Sequence, residues 1–175
     1  MPAASPDLSL SDWAVLGVVA ERPTHGWPIV RELAADGSLG SVWTVTRPLV
    51  YRSLGTLEAH GLIAPSGEAP GRRGPPRTIF RATPAGRAAL RRWLATPVDH
   101  VRDVRSHLLV KLALLARAGR SHHELVVKQL ERLRPVFAGV KRTRSVDGFE
   151  GVVAKWRREQ SLAVERFLRS LADRD

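Results

Sequence analysis

The sequence predicts a mainly α-helical chain carrying one small β-hairpin. Apolar residues recur at helical spacing over most of the 175 residues. Strand-like alternation of polar and apolar residues stands out in one stretch, Arg77-Thr78-Ile79-Phe80-Arg81-Ala82. Ahead of it, a short apolar run, Leu62-Ile63-Ala64, is followed by Pro65 to Pro76, a segment rich in Pro, Gly and Arg that reads as a loop between two strands.

The elements follow in order. A first helix is expected from about Ser11, as its cap, to Arg22, with Trp13, Leu16, Val19 and Ala20 on one face and Pro23 as its stop. Thr24 is the expected cap of a second helix, with Pro28 in the first turn and Trp27, Val30, Leu33 and Ala34 as the buried stripe. Asp36 to Gly40 is a turn cluster. Thr46-Arg47-Pro48 then reads as a cap followed by Pro inside a first turn. The helix it opens turns Val50, Leu54 and Leu57 inward and closes at His60-Gly61, where glycine suits the left-handed conformation. After the hairpin, Thr83-Pro84 restarts helix, with Ala85, Ala89, Trp93 and Leu94 as its apolar side. Three helices, a strand, a basic loop, a strand and a helix make up the order of a winged helix-turn-helix.

Beyond Pro97 only helical signals remain. His107 to Ala118 is apolar at Leu108, Leu112 and Leu115, and Gly119 ends it. Ser121 with Glu124 is a capping-box pattern. It opens a run with Val126, Leu130, Leu133, Phe137 and Val140 at heptad-like spacing, and Pro135 inside that run is expected to kink or divide it. A last helix begins near Gly148 with Phe149, Val153, Trp156, Ala163 and Phe167. Two amphipathic helices at the end of a chain need a surface to bury against. A second copy supplies one, and packing on the N-terminal half is the alternative. The expected organisation is 8–96 as a DNA-binding unit and 97–175 as a helical dimerisation unit.

Charge narrows the partners. Lys and Arg total 28 against 17 Asp and Glu, a formal net charge of +11. Between Thr46 and Arg92 there are nine arginines and two glutamates, Glu58 and Glu68. Excess of that kind favours a polyanion, and its position on the third helix and the loop favours double-stranded DNA. In a helix-turn-helix the start of the second helix of the motif reads base edges, which makes Thr46, Arg47, Tyr51 and Arg52 candidates. An arginine fork such as that of Arg47 fits guanine O6 and N7, and a tyrosine hydroxyl suits a phosphate oxygen. The plainer alternatives are a solvated helix face for the arginines and a core-packed ring for Tyr51. On the loop and second strand, Arg72, Arg73 and Arg77 are placed to reach phosphates or the minor groove.

The motifs together resemble the PadR family of bacterial transcriptional regulators. They are Ala14-Val15-Leu16-Gly17, Thr24-His25-Gly26-Trp27, the run from Val50-Tyr51-Arg52 through Leu57-Glu58-Ala59-His60-Gly61-Leu62, and Phe80-Arg81-Ala82-Thr83-Pro84-Ala85-Gly86. The resemblance implies a homodimer joined through C-terminal helices that binds a pseudo-palindromic operator, usually as a repressor, with Tyr51 on a phosphate. It also implies that an aromatic small-molecule effector is conceivable, with Trp93 and Trp156 as candidate lining residues; their plainer reading is as core or interface anchors. Two departures remove hydroxyls that bind phosphate: Trp27 and Phe80 stand where the family carries tyrosine. Pro48 narrows what the first turn of the helix presents.

Other functions fare worse. The chain has no cysteine, so thiolate metal sites and disulfides are excluded. His100, His107, His122 and His123 show no metal-ligand spacing, and the adjacent pair would point about 100° apart on a helix. No nucleophile-elbow, phosphate-loop or dinucleotide motif is present, so neither catalysis nor a cofactor is expected. A nonspecific or architectural nucleic-acid-binding protein is the standing alternative. Trp13 to Ala20 is too short to span a bilayer, and Lys111 interrupts the apolar stretch from Leu108 to Ala116. With no charged leader at the N-terminus, a cytoplasmic protein without membrane partners is the expectation.

Overall fold

A computed structural model describes residues 7–70, 76–142 and 147–173. Helix α1 spans Leu10–Glu21 and lies at the centre, with Val15, Leu16 and Val19 fully buried. Its cap is Ser9 rather than the expected Ser11. The Ser9 hydroxyl accepts the Asp12 N–H at 3.2 Å while the Asp12 carboxylate accepts the Ser9 N–H at 2.9 Å, a reciprocal capping box. Ser11 is already inside the helix, and its hydroxyl accepts from the Trp43 indole at 3.5 Å.

Helix α2 spans Gly26–Leu33 and starts later than Thr24 suggests. The Thr24 backbone is taken by the sheet: it exchanges two N–H to carbonyl bonds with Phe80, at 3.0 and 2.8 Å. The cap therefore passes to His25, whose Nδ1 accepts the Trp27 N–H at 3.3 Å. Ile29 and Leu33 form the buried side, and Trp27 turns outward, against the expected stripe. Helix α3, Arg47–Ala59, matches expectation: Thr46 is its N-cap, and Val50, Leu54 and Leu57 are buried. Gly61 follows at φ +66°.

Strands β1, Ile63–Ala69, and β2, Arg77–Ala82, pair antiparallel, with Ile63 opposite Ala82 and Ala69 opposite Arg77. The first strand runs past the expected Ala64 into the segment read as loop. Pro65 to Glu68 are exposed and pair through backbone alone across an irregularity between Pro65 and Gly67, so they leave no apolar alternation to read. Helix α4, Pro84–Ala95, opens on Thr83, whose hydroxyl accepts the Gly86 N–H at 3.0 Å and donates to the Gly61 carbonyl at 2.7 Å. That pair of bonds ties the start of α4 to the end of α3.

The second half is helical among its described residues. A 3-10 turn at Val101–Asp103 and a π turn at Val104–Leu108 lead into α5, Leu109–Arg117; α6, His123–Arg142, and α7, Gly148–Ala172, pack on each other. Helix α6 passes through Pro135 undivided. One apolar core continues from α1 into this half through Leu108, Leu114, Val126, Leu133 and Leu168. The connection after α4 is held by polar side chains. The fully buried Gln129 amide accepts the Val98 N–H at 2.7 Å and donates to the Val98 carbonyl at 2.8 Å, in the manner of a strand partner. Lys111 donates to the Thr96 carbonyl. On α7 the apolar positions divide. Leu168 is buried, whereas Phe149 is 80% exposed and Val152 and Trp156 are each 62% exposed. No described helix is long and apolar enough to cross a membrane.

Candidate nucleic-acid interface

The start of α3 stands free of the core. Val50 is the first fully buried residue of the helix, so Thr46, Arg47, Pro48 and Leu49 project outward, followed by Tyr51 and Arg52. Thr46 caps through its extended backbone and spends no side-chain bond on the helix, which leaves its hydroxyl available to a ligand. The unpaired N–H groups of a first turn and the helix dipole add partial positive charge there.

Arg47 is held between two aromatic rings. Its guanidinium carbon lies 5.9 Å from the ring centre of Trp27 and 5.8 Å from that of Tyr51. Both rings are half in water, at 46% and 47% exposure, so the alternative of a core-packed Tyr51 does not apply. Tyr51 reaches this position by lying against the backbone at the start of α2. A Cβ on Gly26 would fall 2.7 Å from Tyr51 Cε1 and 3.0 Å from its hydroxyl, so any larger residue there would push the Tyr51 ring away from this position. A cation stacked on rings loses fewer rotamers when it forms its next bonds than one free in solvent.

Trp27 was expected in the core and instead completes this cluster. Leu49, 40% exposed beside Arg47, is a second residue that pattern reading passed over, and an apolar side chain there suits a thymine methyl. Neither carries a charge that marks it; for Trp27 the signal was its place in the Thr24-His25-Gly26-Trp27 motif, and for Leu49 only its place at the start of α3. On the wing, Arg77 and Arg81 are exposed on β2, opposite Ala69 and Ala64. Arg72 and Arg73 lie outside the described residues.

The two tryptophans considered for an effector have different surroundings. Trp93 stacks on Trp13, ring centres 5.0 Å apart and planes 7° from parallel, and the Lys111 ammonium lies 4.7 Å from its ring centre. Trp156 belongs to the exposed stretch of α7. The structure brings no contact between them to view. Among the described residues no group of three His, Asp or Glu side chains gathers as a metal site would.

Residues 15–92, from the middle of α1 into α4, match the transcriptional regulator PadR-like family. The winged half belongs to that family. Over 145 residues the PadR-like chain is 26% identical to a protein of Mycobacterium tuberculosis described as a probable transcriptional regulator, across 79% of this chain and 72% of the relative. Among solved structures it is similar to Bacillus subtilis PadR in complex with operator DNA, with a TM-score of 0.47 and 16% identity over 92% of this chain and 97% of that one. It is also similar to the Vibrio cholerae virulence activator AphA, with a TM-score of 0.41 and 21% identity over 94% and 96% of the two chains. By that match the winged half is that of a PadR-like transcriptional regulator.

Proposed function

We propose that this regulator is a homodimeric repressor that reads a pseudo-palindromic operator with the exposed start of α3. The observation that carries the reading is Arg47 stacked between Trp27 and Tyr51 at that helix start. In this reading Arg47 contacts guanine, Arg52 and the Tyr51 hydroxyl contact phosphates, and Thr46 sits at the rim of the groove. Arg77, with Arg72 and Arg73 beyond the described part of the wing, adds phosphate or minor-groove contacts. Residues 8–96 then form the DNA-binding unit and 97–175 the dimerisation unit. The second copy covers the stretch of α7 that bears Phe149, Val152 and Trp156. A repressor of this kind works in the cytoplasm by occupying its operator.

A flat aromatic effector belongs to the same reading, with Trp156 as its primary contact. Trp93 is already engaged by Trp13 and Lys111, so a ligand stacking there has to part an existing pair. Such an effector acts if it prefers a dimer geometry in which the two α3 helices no longer match successive major grooves.

Selecting operators from a random duplex pool and comparing them with scrambled DNA at fixed salt tests the proposal. The expected result is two half-sites separated by about one helical turn or a multiple of it. Arg47→Ala is expected to cost about 1–3 kcal/mol of discrimination at one base pair in each half-site. Equal affinity for scrambled DNA would instead favour the nonspecific, architectural reading.

A further inference from the structure

Arg117, the last residue of α5, makes contacts unlike those of any other described arginine. Its Nε and Nη2 donate to the two carboxylate oxygens of Glu21, at 2.6 and 2.7 Å. Its Nη1 donates to Glu32 Oε2 at 3.0 Å and to the Ser38 hydroxyl, and Ser38 in turn donates to the same Glu32 oxygen at 2.7 Å. Glu21 ends α1, Glu32 lies in the last turn of α2, and Ser38 belongs to the turn that leads to α3. One guanidinium from the helical half therefore grips three consecutive pieces of the winged half.

The grip is a built one. The Arg117 side chain is only about one quarter exposed, at 26%, which limits screening of a bidentate pair. The Ser38 hydrogen bond and then the Arg117 charge hold the Glu32 carboxyl below its ordinary range, and the Glu21 hydrogen bond pushes Arg117 upward. One turn earlier on the same helix, Leu114 packs against α1 so closely that a Cβ on Gly17 would lie 2.5 Å from its side chain. From Glu32 the bonding continues toward the DNA-facing end. The Glu32 carbonyl accepts the N–H groups of Leu39 and Gly40 at 3.1 and 3.0 Å, and the Leu33 carbonyl accepts that of Val45 at 2.9 Å, one residue before Thr46.

From this arrangement we infer that Arg117 is a positioning residue for operator binding: it fixes the angle between the helical half and α3, and through it the distance between the two α3 helices of a dimer. Arg117 touches no DNA in this account. Its effect falls on how well two half-sites are bound together, not on how one half-site is read. The inference rests on the dimeric reading above, and a chain of contacts becomes evidence of coupling only when the coupling is measured.

The test compares duplexes carrying one half-site with duplexes carrying two, at fixed salt, for the full-length protein and for Arg117→Gln and Glu21→Gln. Each variant is expected to lose about tenfold in affinity for two half-sites and less than about twofold for one, and to tolerate an inserted base pair better than the wild type. The double variant is expected to be no worse than Arg117→Gln alone, because that substitution already removes the bonds to Glu21. Arg117→Lys keeps the charge but lacks the planar fork that pairs two donors with the Glu21 carboxylate while a third reaches Glu32 and Ser38; it guards against misfolding of the glutamine variant and is expected to show the same selective loss. Equal losses on both duplexes, in step with a lowered melting temperature, would overturn the inference. A wild type that gains from a second half-site, with variants that gain as much, overturns the inference alone. A wild type that gains nothing from the second half-site overturns the dimeric reading and the inference with it.

Discussion

Aromatic rings reach solvent in two regions, and the side chains between them differ. At the start of α3, Trp27 and Tyr51 share an arginine. On α7, Phe149 and Trp156 flank Val152 along one exposed side of the helix. A cation between rings keeps its charge for an anion and would be costly to bury under a protein surface. A valine between rings gains nothing from phosphate and gains about 25 cal/mol per Å² when covered by apolar atoms. Exposure alone therefore does not name a partner; the group between the rings separates a surface suited to DNA from one suited to a protein.

Removing the α7 side tests that division most severely. Phe149→Ser combined with Trp156→Ser is expected to yield a monomer in sedimentation. Its affinity for a two-half-site operator should fall about 10²- to 10⁴-fold, because the second contact is no longer intramolecular. Affinity for a single half-site should stay near wild type, since the α3 cluster is untouched. A variant that remains dimeric would show that other residues join the copies and that this side of α7 covers something else.

A third ring and cation, this time buried, sharpen the contrast. Lys111 is 3% exposed and lies over Trp93 at the connection between the two halves. Burial pushes its ammonium from 10.5 down to about 8, against the raising influence of Asp99. Below about pH 8 the folded protein carries the full cost of this buried charge. Above it the folded chain releases a proton that the unfolded chain still holds, so stability rises with pH until the unfolded lysine also titrates. The rise is expected to be about 1–3 kcal/mol by chemical denaturation across that window, and Lys111→Met should flatten it. An unchanged slope in the methionine variant would mean that the ammonium is better solvated than its burial implies.

The parts of this arrangement that were legible in the sequence are those set by neighbouring residues. Thr46-Arg47-Pro48 announces the start of α3, Thr83-Pro84 that of α4, and the alternation from Arg77 to Ala82 marks β2. The Ser9 cap was legible too, since Asp12 stands three residues on, but Ser11 competes with it by type alone. What could not be read was decided by contacts distant in sequence. Thr24 looks like a cap until Phe80 claims its backbone, and the exposed half of β1 has no pattern because nothing covers it. The same holds for the proposed interface. Arg47, Tyr51 and Arg52 follow from where α3 begins. Trp27 shares helical spacing with Val30 and Leu33, which misplaces it in the core. Only the packing of Tyr51 on Gly26 shows that the start of α2 faces outward beside α3.

Trp27 is also where the smallest effect is expected, and the most specific. If its ring only pre-positions Arg47, Trp27→Ala should weaken binding to the selected operator by about 0.5–1 kcal/mol, the value of a cation over an exposed ring. Binding to scrambled DNA should barely change, and Trp27→Phe should recover most of the loss. The salt dependence decides between this and a direct contact. Trp27 carries no charge, so the slope of log affinity against log salt should match the wild type. Arg47→Ala should also keep the wild-type slope if Arg47 contacts only bases, and should lower it by about one if Arg47 lies on a phosphate. A Trp27→Ala variant whose slope drops toward that lower value would mean that the freed Arg47 has changed its phosphate contacts. The ring would then be choosing what the arginine binds as well as steadying it.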